Sequence, residues 1–223
     1  METNRNNEEK ILKGIAREEA LNRSEYFSDN YFSIRSLSSQ SQQIHDIFNL
    51  KPKKIIEIGI GNGYTSTFLR LAGFDITTAD INPNLKPDIV CSLDQLKNFT
   101  NKTNFDLAVC CEVLEHMPFE EFETNIAYLK ELGNNLYLTL PNFKRSFGIG
   151  GFLILPKFLG RVNLYLKSSF LKKLPDEHFW EVGYNRSTSQ NEIRKILQKY
   201  YRNVAISSYT LNPYHISFTC KNI

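Results

Sequence analysis

Three glycines alternate directly after a short β-branched run, in the sequence Glu57-Ile58-Gly59-Ile60-Gly61-Asn62-Gly63. Glycine permits a sharp turn and lets bare backbone approach a ligand closely. A helix that starts at Tyr64 would direct its N–H groups and the positive end of its dipole at that ligand. The dinucleotide fingerprint G-x-G-x-x-G fails, because Tyr64 occupies its sixth position. The remaining pattern, E-x-G-x-G-x-G, favours a nucleoside with an amino-acid tail, and a tight turn that binds no ligand is the alternative.

An acidic residue, Asp80, follows the next β-branched run, about 20 residues beyond Gly59. A carboxylate at that position can accept hydrogen bonds from both hydroxyls of a ribose. The alternative is a loop carboxylate that caps a local backbone group.

Two histidines lie in segments that could supply acid–base chemistry. His116 ends the stretch Glu112-Val113-Leu114-Glu115-His116, and His178 stands in a cluster with the only tryptophan, Trp180. Either imidazole could act as a general base or hold an acceptor molecule. The alternatives are a local hydrogen bond for His116 and an aromatic packing hinge around His178. His45 and His215 are predicted to be structural.

Strands and helices alternate along most of the chain, which predicts a parallel sheet with right-handed crossovers. Ser189 and Glu192 form a capping box at the start of a late helix. Apolar residues from Ile11 to Ala16 predict an early amphipathic helix, and a second is expected to end near Leu50. The predicted strands are 54–58, 75–79, 88–91, 105–111, 136–140, 204–209 and 215–220, the last two as an antiparallel hairpin, and the predicted central helices are 64–72 and 120–132.

The composition of the chain limits the classes of protein to which it can belong. Hydrophobic residues make up 41% and charged residues 23% of the 223, which is typical of a soluble globular protein. The net charge of +3 is too small to indicate a nucleic-acid binder. The four cysteines form no C-x-x-C pair and the histidines are scattered, so no metal site is expected and the reducing cytoplasm is the simplest location. No secretory signal or membrane-spanning stretch is apparent.

The segment 55–142 resembles the core of class I S-adenosylmethionine-dependent methyltransferases of the small-molecule type, in particular methyltransferase domains 11 and 23. The matching stretches are IIEIGIGNG, TTADINP, FDLAVCCEVLEHM and LYLTLPN, in the family's order and spacing. The resemblance implies a Rossmann-like α/β fold with a seven-stranded, mostly parallel sheet, an antiparallel last strand and helices on both faces. It also implies two regions, an N-terminal helical extension at 1–50 and the methyltransferase domain at 51–223, with an insertion at 144–178.

The resemblance further implies a set of residues that contact the S-adenosyl-L-methionine cofactor. The family's acidic residue after strand three, which meets the adenine, is replaced here by Ser92, with Leu93 beside it. The expected contacts are Glu57, Gly59, Gly61 and Gly63 at the methionine side, Asp80 at the ribose, Ile81, Ser92 and Leu93 at the adenine, and Cys111 and Glu112 near the methionine moiety.

The insertion is basic and apolar. Residues 144–174 contain seven Lys or Arg and no Asp or Glu, together with many Phe, Leu and Ile. Three interpretations stay open: a lid over the acceptor, an amphipathic segment that meets an anionic membrane or a lipid-linked substrate, and a dimer contact. The resemblance to the family implies that this segment determines which acceptor is methylated.

The sequence therefore predicts methyl transfer to a small-molecule acceptor, most simply to an oxygen of a sugar, lipid-linked or quinone-like compound. The alternatives are a nitrogen or carbon acceptor, a nucleotide-sugar or NAD-dependent Rossmann protein, and a catalytically degenerate cofactor-binding protein. Cys111-Glu112-Val113-Leu114 stands where amino-group methylases of DNA carry an N/D-P-P-Y-type tetrapeptide. No nucleic-acid partner is expected, and the location is expected to be cytoplasmic, with peripheral contact at the inner membrane face as an option.

Overall fold

The fold is taken from a computed structural model, which describes residues 10, 12–14, 16–29, 31–99, 105–155, 158–168, 173–209 and 211–222. In chain order its main elements are α1 (Ile34–Leu50), β1 (Lys54–Ile58), α2 (Tyr64–Leu71), β2 (Asp75–Asp80), β3 (Ile89–Val90), β4 (Phe105–Cys111), α3 (Phe122–Leu132), β5 (Gly133–Pro141), β6 (Arg145–Leu155), β7 (Phe158–Ser168), α4 (Gln190–Tyr200), β8 (Asn203–Ser208) and β9 (His215–Lys221).

Seven of these strands form one sheet in the order β3-β2-β1-β4-β5-β9-β8. Neighbouring strands from β3 to β5 are parallel, and β9 runs antiparallel to both β5 and β8. This confirms the predicted sheet with its antiparallel last strand. The chain order reverses between β1 and β4, so their carboxyl ends meet at the switch point where open α/β sheets bind ligands.

The alternation of side chains along the central strands builds two cores. Ile56 and Ile58 of β1 face one apolar cluster, whereas Ile55 faces the other, as a period of two requires. Residues of α3 and α4 belong to the first cluster, while Ile47 of α1 and Leu69 of α2 belong to the second. Helices therefore cover both faces of the sheet, as predicted.

Helix ends follow the expected chemistry. Ser189 Oγ accepts a hydrogen bond from Glu192 N at 3.4 Å, so Ser189 caps α4 as predicted. The reciprocal half of the capping box is replaced, because Ser189 N donates to the Arg186 carbonyl. Ser33 caps α1 in the same way, and α1 ends at Leu50 as predicted. Ile11 and Ile15 of the predicted first helix lie outside the described residues, although 12–14 and 16–20 have helical backbone.

Several element boundaries shift by one to three residues, and the insertion differs from the sequence prediction. β3 is only two residues long, and β5 begins at Gly133, directly where α3 ends, rather than at 136. Within the insertion, β6 and β7 pair as a separate antiparallel hairpin, from Arg145 opposite Ser168 to Leu155 opposite Phe158. No strand was predicted there. Among the described helices, none combines the length and apolarity needed to cross a membrane.

Gly133 offers a test of this packing. A Cβ atom at Gly133 would lie 2.7 Å from the backbone nitrogen of Ala108 in the central strand. We expect Gly133→Ala to lower the free energy of unfolding by about 1–3 kcal/mol, measured by urea denaturation, because backbone cannot yield as a flexible side chain would. Gly14→Ala is the control, since no heavy atom lies within 4 Å of the added carbon. Equal stability of the two variants would contradict the packing.

Candidate functional site

The glycine turn lies at the carboxyl end of β1 and adopts the backbone conformation that its sequence predicts. Gly59, Gly61 and Gly63 all have positive φ, at 77°, 52° and 72°. At Gly59 an added Cβ would lie 2.3 Å from Val113 Cγ2, so a side chain is excluded there. The turn therefore brings bare backbone to the edge of the sheet, next to the segment that follows β4.

Asp80 connects the end of β2 to this turn. Its carboxylate accepts hydrogen bonds from Ile60 N and from Asn82 N, both at 2.9 Å. Burial raises the pKa of Asp80, and these backbone hydrogen bonds oppose the shift. Because each carboxylate oxygen has a second lone pair, the oriented group can still accept from ligand hydroxyls.

Glu57 contributes a buried carboxyl group from within β1. The residue is 3% exposed, and its Oε2 has no hydrogen-bond partner among the described residues. Burial raises the pKa of Glu57 to about 8, against the opposing effects of the Ser66 hydroxyl and the Arg70 guanidinium. A buried acceptor without a partner fits a positively charged ligand group, such as the ammonium of an amino-acid tail.

The other expected cofactor contacts are either half-buried or part of the apolar core. Ile81 is half-buried directly after β2. Ser92 is half-buried and its hydroxyl donates to the Asp94 carboxylate, while Leu93 packs in the apolar core. Cys111 is half-buried, and burial holds the pKa of its thiol well above the ordinary value. The adenine contact stays a prediction, with the Ser92–Asp94 pair as its polar group.

Glu112 begins a second group of titratable side chains, directly after β4. Its φ of 54° is the left-handed region, which costs about 1–3 kcal/mol for a residue other than glycine. Its Oε1 is buried without a partner in the part of the chain described, and its Oε2 lies 3.6 Å from His215 Nε2. His215, predicted to be structural, therefore borders the site.

Glu115, His116 and His178, here called the Glu-His-His cluster, come together beside Glu112. One potential ligand atom from each lies within 4.8 Å of the others, and the two imidazole rings are 5.0 Å apart. His116 Nδ1 lies 3.3 Å from the carbonyl oxygen of Glu177. His178 Nδ1 lies 3.1 Å from Glu181 Oε1. The two histidines proposed from sequence thus share one site.

Burial controls the protonation of this cluster. Glu115 is 1% exposed, and its pKa is held well above the ordinary value by burial and by the carboxylates of Glu112 and Glu181. Burial and the adjacent His178 lower the pKa of His116 to about 4, so its ring is neutral at pH 7. Glu181 is fully buried and accepts a hydrogen bond from the Tyr214 hydroxyl at 2.8 Å.

An aromatic anchor holds His178 against His116. Trp180 is buried, donates from Nε1 to the Met117 carbonyl at 3.0 Å, and packs edge-on against Phe119 and Phe122. The neighbouring Phe179 N donates to the Glu115 carbonyl at 2.8 Å. The aromatic packing around Trp180 therefore positions His178.

Three residues of the site were not among the sequence candidates: Glu115, Glu181 and His215. Glu115 lies in the same Glu112–His116 stretch, and its spacing from Glu112 was an available signal. Glu181 and His215 come from distant parts of the chain, and no local pattern indicates that they reach the same edge of the sheet.

The N-terminal extension contacts both parts of the site. The Tyr26 ring would be 3.9 Å from a Cβ on Gly61, and the Leu21 carbonyl accepts from Asn82 Nδ2 at 3.0 Å. Lys10 Nζ donates to the His178 carbonyl at 2.9 Å. The extension thus runs from the glycine turn to the Glu-His-His cluster.

Comparisons with known proteins agree with this architecture. The model of the family described as a methyltransferase domain matches residues 31–182, more than half of the chain. A sequence search of curated proteins found no match.

Three similar solved structures show the fold. The Synechocystis PCC 6803 magnesium protoporphyrin IX methyltransferase with bound S-adenosylmethionine has 17% identity and a TM-score of 0.53, covering 91% of this chain and 98% of that one. A methyltransferase from Clostridium acetobutylicum ATCC 824 has 11% identity and a TM-score of 0.55, covering 90% and 99%. The methyltransferase domain of the bacterial protein CtHen1-CN has 14% identity and a TM-score of 0.53, covering 84% and 99%.

The family match also confirms the cofactor that the glycine turn and Asp80 predicted, S-adenosyl-L-methionine. The chain belongs to the family described as a methyltransferase domain, and its fold is that of class I, S-adenosylmethionine-dependent methyltransferases.

Proposed function

We propose that this methyltransferase transfers its methyl group to an oxygen of a small-molecule acceptor. The observation that supports the proposal most strongly is the Glu-His-His cluster, which lies directly after β4 and beside Glu112, at the methionine end of the donor site. Such a concentration of carboxylates and imidazoles is suited to a hydroxyl group, whose proton must be withdrawn as the oxygen attacks.

The donor site is formed by residues of this chain at the ends of β1 and β2. S-adenosylmethionine, when bound, supplies an electrophilic methyl group on a sulfonium sulfur. Glu57 holds the ammonium of its methionine part, and Asp80 accepts from the ribose hydroxyls. The glycine turn allows the donor to lie against backbone, so that methyl carbon and acceptor oxygen are aligned for displacement.

The transfer itself needs a proton acceptor and exclusion of water. A bond forms between the acceptor oxygen and the methyl carbon while the carbon–sulfur bond breaks, and sulfur keeps the electron pair. The hydroxyl proton passes to the Glu112 carboxylate directly after β4, whose Oε1 has no hydrogen-bond partner among the described residues. Burial of Glu115, Glu181 and Trp180 keeps that region largely dry, which strengthens each electrostatic interaction.

The charge pattern of the sequence and the composition of the insertion support a class of acceptor. The sequence shows no dense basic stripe of the kind that binds nucleic acid, which is consistent with a sugar, lipid-linked or quinone-like hydroxyl as acceptor. Among these, the basic, apolar 144–174 segment favours a lipid-linked compound. Peripheral membrane contact through that segment, from the cytoplasmic side, is part of the same proposal. The catalytically degenerate alternative predicts donor binding without turnover.

A labelled-donor experiment tests the reaction. Purified protein is incubated with a metabolite and lipid extract and deuteromethyl S-adenosylmethionine, and products are identified by mass spectrometry. We expect the label as a methyl ether or ester on a small molecule. Label on nitrogen, carbon, protein or nucleic acid would contradict the proposal, and so would donor binding with no labelled product.

Asp80 provides a prediction for donor binding. Replacing its carboxylate should weaken binding of S-adenosylhomocysteine at least about tenfold, because two hydrogen bonds to a charged acceptor are lost. The measurement is isothermal titration of Asp80→Asn against Asp75→Asn, which lies at the exposed start of the same strand. Equal affinities for the two variants would mean that Asp80 does not hold the ribose.

Glu57 provides a prediction for pH dependence. Its folded pKa of about 8 exceeds the unfolded value of 4.5, so the folded protein retains a proton that the unfolded chain releases. Ligand-free stability should therefore fall as pH rises from about 5 to 8, by about 1.4 kcal/mol per pH unit from this group. Glu57→Gln should flatten this slope, whereas the exposed Glu131→Gln should leave it unchanged. Parallel curves for wild type and Glu57→Gln, measured by urea denaturation, would refute the assignment.

A further inference from the structure

Carboxyl groups are concentrated around the Glu-His-His cluster. Glu115 and Glu181 are buried, Glu112 is about one quarter exposed, and Glu115 Oε2 has no hydrogen-bond partner among the residues described. Two basic side chains of the N-terminal extension have other partners here: Lys10 donates to the His178 carbonyl, and Arg17 lies 3.7 Å from the Glu177 carboxylate. An unpartnered buried carboxylate in such surroundings points to a cationic partner.

The two histidines have the arrangement that protein metal sites require. Each ring engages its Nδ1, with the Glu177 carbonyl for His116 and with the buried Glu181 carboxylate for His178. Metal-binding histidines typically use one nitrogen in this way, which fixes the ring and leaves the other nitrogen for the metal. Neither Nε2 has a hydrogen-bond partner within the described part of the chain.

The spacing of the donor atoms agrees with a single shared cation. One atom each from Glu115, His116 and His178 lies within 4.8 Å of the others. Ligands of one cation at about 2.1 Å are roughly 3–4 Å apart, so small side-chain movements would close the set. Within the residues described, this is the one cluster of three such groups.

We propose that Glu115, His116 and His178 bind one divalent transition-metal cation, and that an open position on this cation takes the acceptor oxygen. Two imidazole nitrogens and one carboxylate oxygen suit Mn²⁺, Fe²⁺, Co²⁺ or Zn²⁺ rather than Ca²⁺, which prefers oxygen ligands alone. The role toward the acceptor rests on the proposed function, whereas the cation site itself does not.

A cation at this position changes how the acceptor is activated. The cation would make a bound hydroxyl group more acidic, and the Glu112 carboxylate, whose Oε1 has no partner among the described residues, would take the proton as the oxygen attacks the methyl carbon. The sulfur of the donor keeps the electron pair of the broken bond. This site departs from the sequence expectation that no metal is bound, which rested on histidines that are scattered along the chain but adjacent in the fold.

The test is isothermal titration of chelator-treated full-length protein with MnCl₂ alone and with ZnCl₂ alone, with and without S-adenosylhomocysteine. We expect one site per chain in the wild type, and at least tenfold weaker binding in Glu115→Gln, His116→Ala and His178→Ala. His45→Ala is the matched control, because His45 is exposed on α1 and contacts Asp46 and Asn49. Absence of a one-to-one site in the wild type, or unchanged affinity in all three cluster variants, would overturn the proposal.

Donor binding separates a lost cation site from a lost fold. Cluster variants that keep wild-type affinity for S-adenosylhomocysteine while losing Mn²⁺ support the proposal. If a variant does not fold, the site is tested by pulsed electron paramagnetic resonance of wild-type protein with Mn²⁺. We expect coupling of the manganese to two imidazole nitrogens, and absence of nitrogen coupling would overturn the proposed site. Failure of the proposed oxygen methylation appears only in the labelled-donor experiment, since the metal titration needs no acceptor.

Discussion

A carboxylate buried away from water destabilises a fold unless a proton, a cation or several hydrogen-bond donors compensate it. Three such groups, Glu57, Glu115 and Glu181, are buried at one edge of the sheet. Glu181 is compensated internally by the Tyr214 hydroxyl and the His178 ring. Glu57 and Glu115 each have one carboxyl oxygen without a hydrogen-bond partner among the described residues. This is consistent with two sites that bind positively charged groups.

The strand order brings these two sites together. Because β1 and β4 are neighbours, Ile58 pairs with Cys110, and the residues that follow each strand share one edge. Gly59 lets the first segment pass within van der Waals reach of Val113 in the second. The donor site and the Glu-His-His cluster are therefore adjacent because of the sheet topology, and a larger residue at Gly59 would disturb both.

Local sequence patterns predicted the elements that depend on local forces. Alternating apolar strands, the Ser189 capping box and the positive-φ glycines were all identifiable, since periodicity and backbone sterics act over a few residues. The β6–β7 hairpin was not predicted, because its glycine-rich, apolar and basic residues follow no single period. Glu181 and His215 were missed for a different reason: only the complete topology brings them to the Glu112 edge. His116 and His178 were singled out from the sequence, but their proximity to each other was not visible there.

We propose that the buried carboxyl groups at this edge bind cationic partners. The most direct measurement is a crystal structure with S-adenosylhomocysteine and Mn²⁺, including anomalous differences at the manganese edge. We expect the ligand ammonium within hydrogen-bond distance of Glu57, and one manganese peak at the ligand atoms of Glu115, His116 and His178. A structure with the ammonium directed away from Glu57 and no anomalous peak at the Glu-His-His cluster would contradict it.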